Sequence, residues 1–170
     1  MSILILSTVR SGSSRLLQAI CKEYNQEGVF EPTTPMYKCN FDPKKDIVKI
    51  VVQTLPTDQL IKLISEFDKV ILLDRKNVIA QSESYLNLWN NLNGKYDKKY
   101  TSTNFSDEQI KETILKFTDW KQKLYKISIE TNIPIVYLED LLEHKDIGVN
   151  YDKELFTEKY RLRQVKNNLI

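Results

Sequence analysis

The stretch SILILSTVRSGSSRLL, residues 2–17, decides how this chain reads. A short apolar strand, Ile3 to Leu6, runs into a loop of small and polar residues, Arg10-Ser11-Gly12-Ser13-Ser14, and the loop runs into an amphipathic helix. The first turn of a helix carries N–H groups with no intrahelical acceptor, and the helix dipole favours negative charge there. A strand, a tight loop and a helix N-terminus in sequence are therefore the makings of an anion site. Gly12 permits close backbone approach or a positive φ. Ser13 and Ser14 offer a cap or a direct hydroxyl donor. Arg10 adds a planar cation suited to gripping phosphate or sulfate oxygens in pairs. The loop is not the G-x-x-x-x-G-K-[ST] of nucleotide triphosphatases: its first glycine is missing and Ser13 stands where the lysine would be. An ordinary strand-to-helix turn with a serine cap would explain the loop taken alone, so the weight falls on the rest of the chain.

The 170 residues read as a single domain, 1–170, with a sizeable core. A net charge of +2 gives no global case for nucleic acid, so any basic site is local. Cys21 and Cys39 lack metal-ligand spacing, and Cys21 falls on the apolar side of the first helix, a core position. The single histidine, His144, sits in a polar, acidic stretch. One histidine leaves little room for histidine-based triads or metal sites, and no metal is expected. The apolar start, about five residues long, is too short for a signal peptide, and no run approaches the ~18–20 residues of a membrane span. The expectation is a cytoplasmic protein with free thiols and neither membrane nor nucleic acid as partner.

Strand and helix patterns alternate along the chain. After the first helix, about 13–24, Gly28 closes that region, and Phe30-Glu31-Pro32-Thr33-Thr34-Pro35 cannot be regular helix. Further strands are expected at 48–53, 69–73 and 133–137, and helices at 56–67, 77–91 and 106–131. Ser106 with Gln109 predicts a capping box. A mobile loop is expected at 93–104, a short acidic turn at 139–143 and a last helical segment from Tyr151. The later strands are almost wholly apolar, as in a parallel sheet covered by helices on both faces. The expected fold class is thus three-layer α/β around a mostly parallel sheet.

In open α/β sheets ligands sit at the carboxyl ends of the strands. The first strand exits into RSGSS, the third into DRKNVIAQSES and the fourth into LED. Two of these three exits are rich in arginine and serine, the chemistry of an oxyanion site. On the helix after Asp74-Arg75-Lys76-Asn77, Ser84 lies seven residues past Asn77, on the same face. A solvated charge cluster beside a surface helix would explain this exit alone; together with the first loop, two separate oxyanion sites at adjacent strand ends explain the pair of exits better.

With these residues in view, the chain resembles the sulfotransferase superfamily that uses 3′-phosphoadenosine 5′-phosphosulfate (PAPS). The family's phosphosulfate loop, close to R-[ST]-G-[ST]-[ST], is similar to Arg10-Ser11-Gly12-Ser13-Ser14, and its later arginine and helical serine, which hold the 3′-phosphate, are similar to Arg75 and Ser84, with Ser82 the second choice. The stretch IPIVYLEDLL is similar to the family's late strand and turn, and Arg161 and Arg163 in Tyr160-Arg161-Leu162-Arg163 to its basic segment near the 3′-phosphate. The resemblance implies a P-loop nucleotide-hydrolase-like topology, PAPS as co-substrate, no metal, and a small-molecule or carbohydrate hydroxyl acceptor.

It also implies roles. Arg10 would steady charge on the transferring sulfate and the leaving phosphate. Glu31, in Gly28-Val29-Phe30-Glu31-Pro32, matches a glutamate that some bacterial members use as base. Beside Phe30 and the prolines such a carboxylate would be partly desolvated and suited to take the acceptor's proton. Tyr85, Leu88 and Trp89 read as helix packing ahead of an adenine or acceptor pocket, and Phe117, Trp120 and Leu124 as core. Two alternatives stand beside the transferase: a P-loop-like kinase or phosphotransferase, for which Asp74 is the one candidate magnesium ligand, and a nucleotide-binding relative without catalysis.

Overall fold

The computed structural model describes residues 1–35, 38–92 and 105–143, with the side chains of 89–92 and 142–143 outside that set. Five strands, β1 (Ile3–Ser7), β2 (Gly28–Phe30), β3 (Ile47–Val51), β4 (Lys69–Asp74) and β5 (Ile135–Tyr137), form one sheet in the order β2-β3-β1-β4-β5. Every pairing is parallel. Five α-helices connect or follow them: α1 (Ser13–Glu23), α2 (Thr57–Ile64), α3 (Val78–Leu92), α4 (Asp107–Thr131) and α5 (Leu138–Glu143).

The alternation of side chains divides the core in two. Leu4, Leu6, Val48, Ile50 and Leu72 face Leu60 and Ile64 of α2 and Leu124 and Ile127 of α4. Ile3, Ile5 and Ile47 face Leu17, Ile20 and Cys21 of α1. Helices thus cover both faces, as the near-continuous apolar strands require. Tyr85 of α3 packs edge-on against Phe117 and Trp120 of α4, so these rings are core, as the helical spacing indicates. α4 begins with the predicted capping box of Ser106 and Gln109.

Two expectations change. Gly28 does not merely end the first helical region: it opens β2, a three-residue strand paired to β3. Its missing side chain lets α1 lie directly on the sheet, since a Cβ there would stand 2.7 Å from Cys21 Sγ. Three residues between a helix and a proline-rich passage give too short a pattern to read as a strand. The second expected strand also stops early, at Val51, and continues as a 3₁₀ turn over Val52–Thr54.

The topology selects one crevice. The chain leaves β1 into α1 on one face, whereas β3 leads into α2 on the other, and α3, which follows β4, packs with α4. Connections diverge on both sides of the carboxyl end of β1, which is where an open α/β sheet receives a ligand. No helix among the described residues is long and apolar enough to cross a membrane.

Candidate functional site

At the exit of β1 the loop is held from inside. Ser11 is fully buried and its hydroxyl donates to Thr8 O at 2.8 Å. The side chain of Ser11 is therefore a structural tie, not a group presented to a ligand. Gly12 takes φ +83° and its carbonyl receives the N–H groups of Arg15 and Leu16, starting α1. A Cβ at Gly12 would fall 2.7 Å from Leu138 Cδ1, so glycine is needed both for the backbone and for the packing of α5 over the loop. The N–H groups of Gly12, Ser13 and Ser14 meet no acceptor among the described residues. Ser13 is buried and Ser14 half-buried beside them.

Arg10, exposed, adopts φ +61°. Asn25 and Asn132 share that region, as asparagines at helix ends do, but the fourth non-glycine residue there among the described residues is Glu31, at φ +45°. The two residues that the resemblance nominates for catalysis thus both hold an unfavourable backbone, a pattern associated with functional positions.

The second exit, after β4, reaches the same crevice. Arg10 Nε donates to Ser84 Oγ at 2.8 Å. Ser82 instead donates to Val78 O, one turn back in α3, and is fully buried. Of the two candidate serines, Ser84 is the one at the loop. Gln81, one turn before it, donates to Thr8 Oγ1 at 2.9 Å and Val9 O at 2.7 Å and fastens α3 to the loop. Thr8 in turn donates to Asp74 Oδ1 at 2.6 Å, and Lys121 Nζ binds Asp74 Oδ2 at 2.7 Å and Arg75 O at 2.6 Å. Both oxygens of Asp74 are engaged within the protein.

Arg75 does not join Ser84. Its Nε lies 3.8 Å from Glu139 Oε1. Glu139 accepts from the N–H groups of Lys76, at 2.9 Å, and Asn77, at 3.1 Å, and so closes the N-terminus of α3, where Asn77 Oδ1 also takes the Ala80 N–H. Burial pushes the Glu139 carboxyl up, but those N–H groups and the Arg75 cation outweigh it and hold it below its ordinary value. Lys76 pairs with Asp140. Glu139, in the acidic turn after the last strand, thus closes the start of a helix distant in sequence, α3.

Glu31 sits where β2 ends. Its N–H donates to Lys49 O at 2.8 Å, and its Oε1 is ion-paired with Lys49 Nζ. Lys49 occupies the middle of β3, paired across the sheet with Ile5 and Phe30, and its ammonium lies 4.4 Å from the Phe30 ring centre. Its side chain is 4% exposed and that of Glu31 13%. Burial pushes the Lys49 ammonium below its ordinary pKa; Glu31 pulls it back up and the nearby Arg10 adds to the lowering. The expected carboxylate among apolar rings is thus a carboxylate with a buried cation on one oxygen. A lysine inside an otherwise apolar strand was the signal for this pair, and the reading of the later strands as almost wholly apolar passed over it.

Arg161, Arg163 and His144 lie outside the described residues, as do residues 93–104, the segment from Tyr151 and the side chain of Trp89. No protein-family model matches the chain, and no curated protein matches it in sequence.

Proposed function

We propose that the chain is a PAPS-dependent sulfotransferase acting on a hydroxyl acceptor, with the P-loop-like topology that the resemblance implies. The observation that carries this reading is the convergence of the β1 and β4 exits: the Arg10 guanidinium meets the Ser84 hydroxyl beside a helix N-terminus whose first N–H groups meet no acceptor among the described residues. The N–H groups of Gly12 to Ser14 suit the 5′-phosphate. Ser84 with Arg10 suits the 3′-phosphate, whose oxygens are stronger partners for a guanidinium than a neutral hydroxyl is. Arg75 reaches this ligand only by exchanging Glu139 for it. Arg161 and Arg163 keep the role the resemblance gives them. Sulfuryl transfer asks for positioning and charge stabilisation, which this set of donors supplies without a metal.

The phosphotransferase alternative needs Asp74 for magnesium, and both Asp74 oxygens are already engaged, which counts against it. A binding protein without turnover remains as the second reading, favoured by the ion pair on Glu31.

Thermal stabilisation by 3′-phosphoadenosine 5′-phosphate (PAP), compared with ADP and with ATP plus Mg²⁺, tests the reading. A ligand specific for the folded state adds about 2.7 kcal/mol at a hundredfold excess over its Kd. The expected result is metal-independent stabilisation by PAP, weakened in Arg10→Ala and Ser84→Ala. Preference for ATP with Mg²⁺ would move the assignment to the phosphotransferase, and no response to any nucleotide would remove both.

A further inference from the structure

We infer that Lys49 is a positioning residue for the base: it fixes the Glu31 carboxylate through Oε1 and leaves Oε2 to take the acceptor's proton. The inference rests on the sulfotransferase reading and deepens it. Lys49 holds Glu31 twice, by its carbonyl on the Glu31 N–H and by its ammonium on Oε1. Both tethers come from a residue in the centre of a buried strand, so neither end drifts with the loop. Phe30 packs against the same ammonium and limits its movement. Among the described residues the remaining oxygen, Oε2, has one long contact, Thr34 Oγ1 at 3.5 Å. The turn that follows is closed by Thr34 N on Glu31 O at 2.9 Å, and Thr33 Oγ1 meets Thr54 Oγ1 at 2.7 Å, tying it to the β3 exit. The positive φ of Glu31 is thereby held from both sides. The Glu31 side chain is the more exposed of the two, 13% against 4% for Lys49, so the carboxylate side of the pair is the one turned toward solvent.

In the step assigned to this pair, the acceptor oxygen forms a bond to sulfur while the bond from sulfur to the 5′-phosphate oxygen breaks. The bonding electrons leave with PAP, and the acceptor's proton passes to Glu31 Oε2 and then to water. Lys49 touches none of the reacting atoms; it sets where Oε2 stands.

The test is PAPS turnover with water as acceptor, followed as sulfate and PAP, in wild type, Lys49→Met, Lys49→Arg, Glu31→Gln and the double variants. Glu31→Gln should lower kcat by about 10²–10⁴, the usual range for a lost general base. Lys49→Met should lower kcat by about 10²-fold, the scale of a misplaced catalytic group, with an unchanged KM for PAPS, and Lys49→Arg should recover most of it. In the Glu31→Gln background Lys49→Met should cost nothing more, because the group it positions is already gone. Losses that multiply, or a raised KM at constant kcat, would overturn the positioning role and put Lys49 on the nucleotide. If Lys49→Met does not fold, Lys49→Arg in both backgrounds completes the comparison. A wild type that binds PAP without turning over PAPS would overturn this role together with the transferase reading. Turnover that is independent of Lys49 would overturn this role alone.

Discussion

Two carboxylate–lysine pairs stand at opposite sides of the β1 exit, and they are built for different ends. Both Asp74 oxygens are engaged: Thr8 donates to one and Lys121 to the other, and Gln81 and the Arg75 carbonyl extend the network. Its backbone lies in regular strand. Glu31 is half-satisfied, carries a positive φ, and shares its lysine with the field of Arg10. A network that closes on itself contributes rigidity; one that leaves an oxygen and a strained backbone at a strand exit is equipped to act on something else. The difference separates scaffold from site within one crevice.

Breaking the Asp74 pair should produce a large loss of stability. Asp74→Ala strands the Lys121 ammonium and removes the acceptor of the Thr8 hydroxyl. Breaking a buried pair costs about 3–5 kcal/mol, and the partial exposure of Lys121 places this one near the lower end. Urea denaturation measures it. Arg10→Ala, by contrast, should change stability by less than about 1 kcal/mol, as for an exposed side chain, while abolishing most of the stabilisation by PAP. Equal losses in the two variants would erase the distinction between scaffold and site.

The open pair should behave differently when removed whole. Glu31→Gln leaves Lys49 buried and uncompensated, at a cost of about 3 kcal/mol. The double variant Glu31→Gln with Lys49→Met should return to within about 1 kcal/mol of wild type at pH 7, because a buried pair is weakly stabilising against neutral residues of similar size. The Lys49 pKa in the folded chain lies below its unfolded value of 10.5. The unfolded chain therefore binds more protons in the window just below 10.5, and wild-type stability gains relative to the double variant as pH rises through it. A double variant as unstable as Glu31→Gln would mean that the pair holds the fold together as Asp74 does.

Gly12→Ala tests the loop that lies between the two pairs. The left-handed backbone costs a Cβ residue about 1–2 kcal/mol, and Leu138 must also shift. Denaturation should show that loss, and PAP stabilisation should fall as well if the first-turn N–H groups bind the 5′-phosphate. Stability lost with nucleotide response intact would leave Gly12 as a packing device alone.

How far the sequence carried this comparison follows from the range of each signal. The alternation of apolar runs and helical periods made the parallel sheet, α1 and the Ser106 cap readable, because those signals are local. Arg10 and Gly12 were readable as residue types at a strand exit and Ser84 on the helix after one, whereas Glu31 came from the family resemblance alone. Their partners were not. Lys49 lies 18 positions from Glu31 and Glu139 lies 62 from Asn77, and neither pairing follows from any period in the chain. The strand order that brings them together is settled by packing on two faces, which no single segment encodes.

The smallest effect belongs to Glu139, and it ties the β4 exit to pH. In the folded chain its carboxyl lies below its ordinary value: burial raises it, but the Lys76 and Asn77 N–H groups and Arg75 lower it further. A depressed carboxylate contributes stability that is fully present above the unfolded pKa and is lost as pH falls through the folded one. Glu139→Gln should therefore cost less than about 1 kcal/mol at pH 7, the scale of a cap or helix-dipole interaction on a partly exposed group. The difference from wild type should shrink between pH 7 and an acid pH below the folded-chain pKa, which itself lies below the ordinary value. Stability curves at the two pH values decide it. If the gap survives at low pH, Glu139 contributes through packing, and Arg75 is held for structure. If the gap closes, the charge is what holds Arg75, and PAP should bind more tightly to Glu139→Gln, because the 3′-phosphate no longer competes with a carboxylate for that guanidinium.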